Sequence, residues 1–125
     1  MAIPAPARTQ KSLETEKIIW VASVRSDGQR PHLVPVWFAW HGEKLFLCVQ
    51  PDSIKARNIR NRPGVALALE DGTRPVICEG TAAALPAPWP EAVCTVFQQK
   101  YEWDIRTGKE YTQLLEITPE KWLSW

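Results

Sequence analysis

The chain predicts a small, mainly β domain, a closed or partly closed barrel of about six antiparallel strands with two or three short α-helices. Three observations carry that prediction. Apolar and β-branched runs of strand length recur along most of the 125 residues, each bounded by Gly-, Pro- or Asp-containing turns. Only two central or late segments show helical spacing of apolar or capping residues. No internal repeat or linker divides the chain, which reads as one domain, 1–125, with 1–7 as a loose Pro-rich arm.

In chain order, Arg8 to Lys17 is polar with weak helical character. Ile18 to Arg25 reads as the first strand, and Ser26-Asp27-Gly28-Gln29 as a turn whose glycine suits positive φ. Pro31 to Trp40 continues the hairpin, and His41-Gly42-Glu43 turns it into Lys44 to Val49, giving a three-stranded meander. Pro51-Asp52-Ser53 breaks the pattern. Asp52 or Ser53 then caps a helix of about two turns over Ser53 to Asn61, stopped by Asn61-Arg62-Pro63-Gly64. Val65 to Leu69 alternates large and small residues, as a tightly packed barrel strand does. Pro75 to Leu85 is a longer strand with Gly80 as a bulge position. Val93, Val96, Phe97 and Tyr101 give helical spacing to Pro90–Tyr101, Trp103 to Glu110 is a loop, and Tyr111 to Thr118 is the last strand.

Composition narrows the function classes. A hydrophobic content of 45% and a formal charge of +1 describe a globular protein with no global pull toward nucleic acid or anionic membrane. Cys48, Cys78 and Cys94 are widely spaced without a CxxC pair, and the only histidines are His32 and His41. Reduced buried thiols and no metal site are expected. The start lacks a basic and apolar leader pattern, and no apolar run reaches membrane-spanning length, so a cytoplasmic protein is expected. Seven tryptophans exceed what one small core hides comfortably, which favours an interface or a planar ligand.

Chemistry concentrates between Ser53 and Pro63, where Lys55, Arg57, Arg60 and Arg62 stand with no acid among them. Lys55 falls in the first helical turn, where the helix dipole disfavours a cation unless an anion is present. The free N–H groups of that turn, with the Ser53 hydroxyl, suit a phosphate. Ser53, Arg57 and Arg60 share a face at i, i+4 and i+7. A solvated basic helix with no ligand is the competing reading. So is a single-strand nucleic-acid-binding barrel, although near-neutral charge and cations on a helix instead of a strand groove argue against it.

The order of pieces IIWVASVRSDGQ, RPHLVPVWFAW, LFLCV, SIKARNIRNRPGVALALED, VICEGTA, KYEWD and LLEITPEKW resembles the pyridoxamine 5′-phosphate oxidase-like, split-barrel flavin-binding family, including its deazaflavin-using branch. SxKxRNxRxxP between a barrel strand and VALAL is the most specific piece. The resemblance implies a split barrel that forms a homodimer, with FMN, or an 8-hydroxy-5-deazaflavin coenzyme, in clefts between subunits. It implies that Ser53 and Lys55 hold the cofactor phosphate, with Arg57 and Asn58 close by. His32, Leu33, Val34, Pro35, Val36 and Trp37 would hold the ring edge, and Cys48 and Val49 would pass beside the ribityl chain. Trp89, Trp103 and Trp125 are candidates for an aromatic donated by the other subunit. Pro35 lacks an N–H, so it belongs at a sheet edge or gap. The implied activity is hydride transfer between that cofactor and a small planar substrate, with no catalytic side chain assigned and no nucleic acid or membrane partner. A flavin carrier, flavin sensor or haem-binding relative of the same fold is the alternative. The founding enzyme's second-strand arginine is missing, its nearest positions being His32 and Leu33, and so are its pyridoxine-recognising segments. True pyridoxamine-phosphate oxidase activity is therefore not expected.

Overall fold

The computed structural model describes residues 2–125. A 3-10 turn, Ala7–Thr9, leads into α1, Gln10–Thr15. The strands are β1, Ile19–Val24; β2, Pro31–Val36; β3, Ala39–His41; β4, Lys44–Val49; β5, Gly64–Leu69; β6, Val76–Leu85; and β7, Gln113–Ser124. Helices α2, Ile54–Asn61, and α3, Glu91–Tyr101, complete the chain. All seven strands form one antiparallel sheet in the order β2-β1-β5-β6-β7-β4-β3, curled into a half-barrel.

The predicted meander needs correction. Pro31 to Trp40 is not one strand: it breaks at Trp37-Phe38, and its halves lie on opposite edges of the sheet. The break holds because Phe38 finds its backbone partners outside the ladder. Its N–H donates to the Tyr101 hydroxyl at 3.0 Å, and its carbonyl accepts from Lys100 Nζ at 3.3 Å. Trp37 and Phe38 thus bridge the two edges of the curled sheet, which makes the seam of a split barrel. Pro35 sits on edge strand β2, paired with Trp20, as expected for a residue that lacks an N–H.

The last strand also runs further than Tyr111 to Thr118. It starts at Gln113, two residues after Tyr111, whose carbonyl oxygen accepts from Cys48 Sγ at 3.3 Å, and it passes through Pro119. A register shift between Glu79 and Gly80 places Gly80 opposite Pro119 and Glu79 opposite Lys121. The bulge absorbs the proline that would otherwise end pairing. Residues read as a loose arm lie along this strand: Ile3 N donates to Pro119 O at 2.9 Å, and Trp122 Nε1 donates to Ile3 O at 2.9 Å. Gly28 and Gly42 take the positive φ their turns require, +73° and +59°.

Alternation along the strands builds two cores. Ile19, Val21, Leu45, Leu47, Val49, Leu67, Leu115 and Ile117 fill the barrel, with Ala56 and Ile59 of α2 closing one end. The opposite faces of β4 and β7 offer Phe46, Cys48 and Leu114 to Val93, Cys94 and Phe97 of α3. β4 is therefore buried on both faces, and Cys48 lies where barrel wall, α3 and seam meet.

Candidate functional site

A cavity of about 610 Å³ opens at the seam, lined by Pro35, Val36, Trp37, Cys48, Lys55, Tyr101, Glu102, Trp103 and Tyr111. Three elements converge there: the end of edge strand β2, the first turn of α2, and the C-terminal turn of α3 with the loop after it. The wall is aromatic. Trp37 stacks on Tyr101 with centroids 4.5 Å apart and planes 5° from parallel. Trp103 meets Trp37, Phe97 and Tyr111 edge-on at 5.6–5.7 Å. Edge-to-face and offset contacts of this kind hold rings in fixed orientations. Glu102 ends α3 in the left-handed conformation, φ 53°, and so turns the chain from Tyr101 back toward Trp103.

The α2 N-terminus is built as its sequence dictates. Ser53 is the N-cap, its Oγ accepting from Ala56 N at 3.3 Å and donating to Gln50 O at 2.8 Å. The four cations sort by partner. Arg60 Nη1 donates to Pro51 O, and Arg62 caps the β1–β2 turn through Ser26 O. Arg57 is exposed and Lys55 half-buried, and among the described residues neither is in an ion pair. Burial of Lys55 lowers the affinity of its amine for a proton. His32, paired with Ser23 across β1 and β2, is lowered too, by burial and then by Arg25 and Lys55. Two cations in no ion pair among the described residues therefore stand on the first half of α2, Lys55 lining the same cavity as the aromatic wall. Among the described residues no group of three or more His, Cys, Asp or Glu is arranged to hold a metal.

Of the residues expected at a cofactor, the structure gathers Pro35, Val36, Trp37, Cys48 and Lys55 around one cavity. Val34 packs on the barrel core, Leu33 is 60% exposed on the outer face, and Val49 is buried inside the barrel. Ser53 lines a neighbouring cavity of about 460 Å³ with Asp52, Lys109 and Glu110. Asn58 is buried, and its Nδ2 donates to Ser23 Oγ at 3.1 Å, pinning α2 to β1. Trp103 reaches the cavity within its own chain. Trp89 packs on the α3 core, and Trp125 lies at a separate pocket. The sequence reading missed Tyr101, Glu102 and Tyr111 as cavity residues. Tyr101 was absorbed into the helical spacing of α3, although KYEWD was available as a signal.

A curled antiparallel sheet whose two edges are joined through Trp37-Phe38, with an aromatic and cationic cavity on the seam, defines a split barrel. The sequence profile of the pyridoxamine 5′-phosphate oxidase family matches residues 5–125, and the chain belongs to that family. No curated protein matches it. Among solved structures it is similar to an F420 reductase, at 24% identity over 94% of this chain and 98% of that one, TM-score 0.73. It is also similar to the haem storage protein of Vibrio cholerae, at 18% identity over 98% and 95%, TM-score 0.78. A FAD-binding protein from Mesorhizobium loti gives 18% identity over 94% and 91%, TM-score 0.71. At these identities the likeness is one of fold.

Proposed function

We propose that the chain is a flavin-dependent oxidoreductase that binds FMN, or an 8-hydroxy-5-deazaflavin coenzyme, at the seam and reacts it with a small planar substrate. The observation that carries this reading is Lys55: a half-buried ammonium in no ion pair among the described residues, set in a cavity whose wall includes the rings of Trp37, Tyr101, Trp103 and Tyr111. A desolvated cation of this kind calls for an anion, and flat walls call for a flat ring.

The cavity fits such a group. Lys55 and the free N–H groups of the first turn of α2 would meet the anionic tail, with Arg57 at the rim. Val36, Trp37 and the Pro35 backbone would border the ring. When bound, the cofactor would supply the hydride chemistry. The chain's own part is to orient and to exclude water. Trp37 is held by its stack on Tyr101. The Tyr101 hydroxyl accepts from Phe38 N and donates to Lys17 O at 2.8 Å, so it has no proton to spare. Burial pushes the Cys48 thiol up to about 12, with Cys94 adding to the effect, so at neutral pH it is a neutral wall atom. The family's F420- and FAD-named structures support a flavin-type cofactor.

One observation favours a second reading, a carrier of the same cofactor without turnover: the charged side chains of the cavity, Lys55 and Glu102, make no hydrogen bond among the described residues that would orient either as a proton donor or acceptor. A haem carrier is less favoured, since among the described residues no histidine lines the cavity. We further propose a homodimer, supported by the exposed apolar residues Val24, Leu33 and Pro35 on the outer face of β1 and β2.

Titration with FMN, the deazaflavin coenzyme and haem, followed by anaerobic turnover of the reduced cofactor with quinone or enone acceptors, tests the reading. Saturable flavin or deazaflavin binding with acceptor reduction supports the enzyme. Binding without turnover supports the carrier. Binding of neither overturns both.

A further inference from the structure

A second pocket lies far along the sheet from the seam and shares no lining residue with it. It occupies about 470 Å³ between the first helix, the β5–β6 turn and the end of β7, lined by Arg8, Thr9, Ser12, Thr73, Arg74, Pro75, Val76, Ser124 and Trp125. We propose that it is a binding site for an aromatic phosphate monoester of about mononucleotide size.

Three features argue for that ligand. Two guanidinium groups flank the pocket, and among the described residues neither is in an ion pair. Arg8 is pre-oriented, Nη2 donating to Ser124 Oγ at 2.9 Å, which leaves the rest of its fork free. The acid nearest in sequence to Arg74 is Asp71, whose Oδ1 accepts from Thr73 N at 2.8 Å and Arg74 N at 3.1 Å; it is engaged with its own turn. Paired planar forks match phosphate oxygens bidentately. Second, Trp125 is 68% exposed, the most exposed large apolar residue of the described chain. Among the described residues its ring N–H has no hydrogen-bond partner, as is also true of Trp37, Trp89 and Trp103, but those three pack on other side chains of the fold. The Trp125 indole is an unoccupied stacking surface beside the two cations. Third, buried Pro75 and Val76 give an apolar floor, and Ser12, Thr73 and Ser124 bring hydroxyls to the rim. Apolar floor, ring and a few convergent polar groups are what small-molecule sites share.

Isothermal titration of the full chain with adenosine 5′-monophosphate, adenosine and inorganic phosphate tests this directly. The expected result is saturable 1:1 binding of the monophosphate, with adenosine and phosphate each at least about tenfold weaker. Arg74→Ala and Trp125→Ala should each weaken it about tenfold, with circular dichroism and Tm confirming that both variants fold. Lys55→Ala should leave it unchanged. Absence of saturable binding, phosphate binding as tightly as the monophosphate, or insensitivity to both pocket variants would overturn the proposal. Loss of binding in Lys55→Ala would also overturn it by placing the ligand at the seam. FMN binding at the seam is read separately, by its dependence on Lys55.

Discussion

The rings of Trp37 and Tyr101 lie face to face, 4.5 Å apart and 5° from parallel, across the seam of the barrel. One belongs to the two-residue bridge between the sheet edges and the other to the last turn of α3. The contact does two things at once: it gives the cavity a fixed wall, and it brings the Tyr101 hydroxyl to the Phe38 backbone and to Lys17 O. Tyr101→Phe keeps the stack but leaves the Phe38 N–H without its partner. The expected cost is about 1–3 kcal/mol, read as a lower urea midpoint with an unchanged m-value. Tyr101→Ala should cost more and should also weaken cofactor binding, because Trp37 loses its support.

The bulge at Gly80 gives a stability test independent of function. A Cβ at Gly80 would lie 2.5 Å from the Thr118 carbonyl oxygen, a backbone atom that cannot move aside. Gly80→Ala should therefore destabilise by about 1–3 kcal/mol, as overpacking does. Gly64→Ala meets nothing within 4 Å and should change stability by less than about 0.5 kcal/mol. Thermal unfolding of the pair measures the contrast.

Burial pushes the Cys78 thiol up to about 12, with Glu79 and then Glu120 adding to the effect, from an ordinary value of 9.0. The folded chain then keeps a proton that the unfolded chain releases. The resulting stabilisation is complete below about pH 9 and is lost as pH rises from 9 toward 12. Cys78→Val should flatten the decline between pH 9 and 10.5 by up to about 1.4 kcal/mol per pH unit. Lys100, lowered to about 8 mainly by burial and then by Lys17, acts oppositely in that window. The difference between wild type and variant isolates the thiol.

Much of the fold was legible because its signals are local. Asp52-Ser53 before a short helical run predicted a cap, which Ser53 provides, Gly28 predicted positive φ, and Gly80 predicted the bulge. The seam was not legible. Trp37-Phe38 continues the alternation of its neighbours, and what breaks the strand is the Tyr101 hydroxyl, 63 residues further on. Pro119 misled for the same reason: the bulge that admits it belongs to another strand. At the site, charge spacing found the basic helix and first-turn position singled out Lys55, but which arginines are engaged elsewhere was not legible. Arg60 and Arg62 bond to backbone carbonyls that no pattern reveals, while Lys55 faces the cavity. The resemblance put Asn58 close to the phosphate; that its amide is held by Ser23 is a contact that only packing shows.

Leu33 is 60% exposed and Val24 37% exposed on neighbouring strands of the outer face. If this face pairs two copies, sedimentation equilibrium should return the dimer mass for wild type and the monomer mass for Leu33→Asp, with the fold retained. A monomeric wild type at micromolar concentration would contradict the dimer.

The central claim is that Lys55 grips the anionic tail of a flat cofactor, and the affinities of FMN and riboflavin for wild type and Lys55→Ala/Arg57→Ala test it most directly. Only FMN carries the phosphate, and each lost charge-assisted hydrogen bond is worth about 1.5–3 kcal/mol. The account predicts at least about tenfold weaker FMN binding with riboflavin binding nearly unchanged. Equal losses for both ligands, or no loss for either, would contradict it.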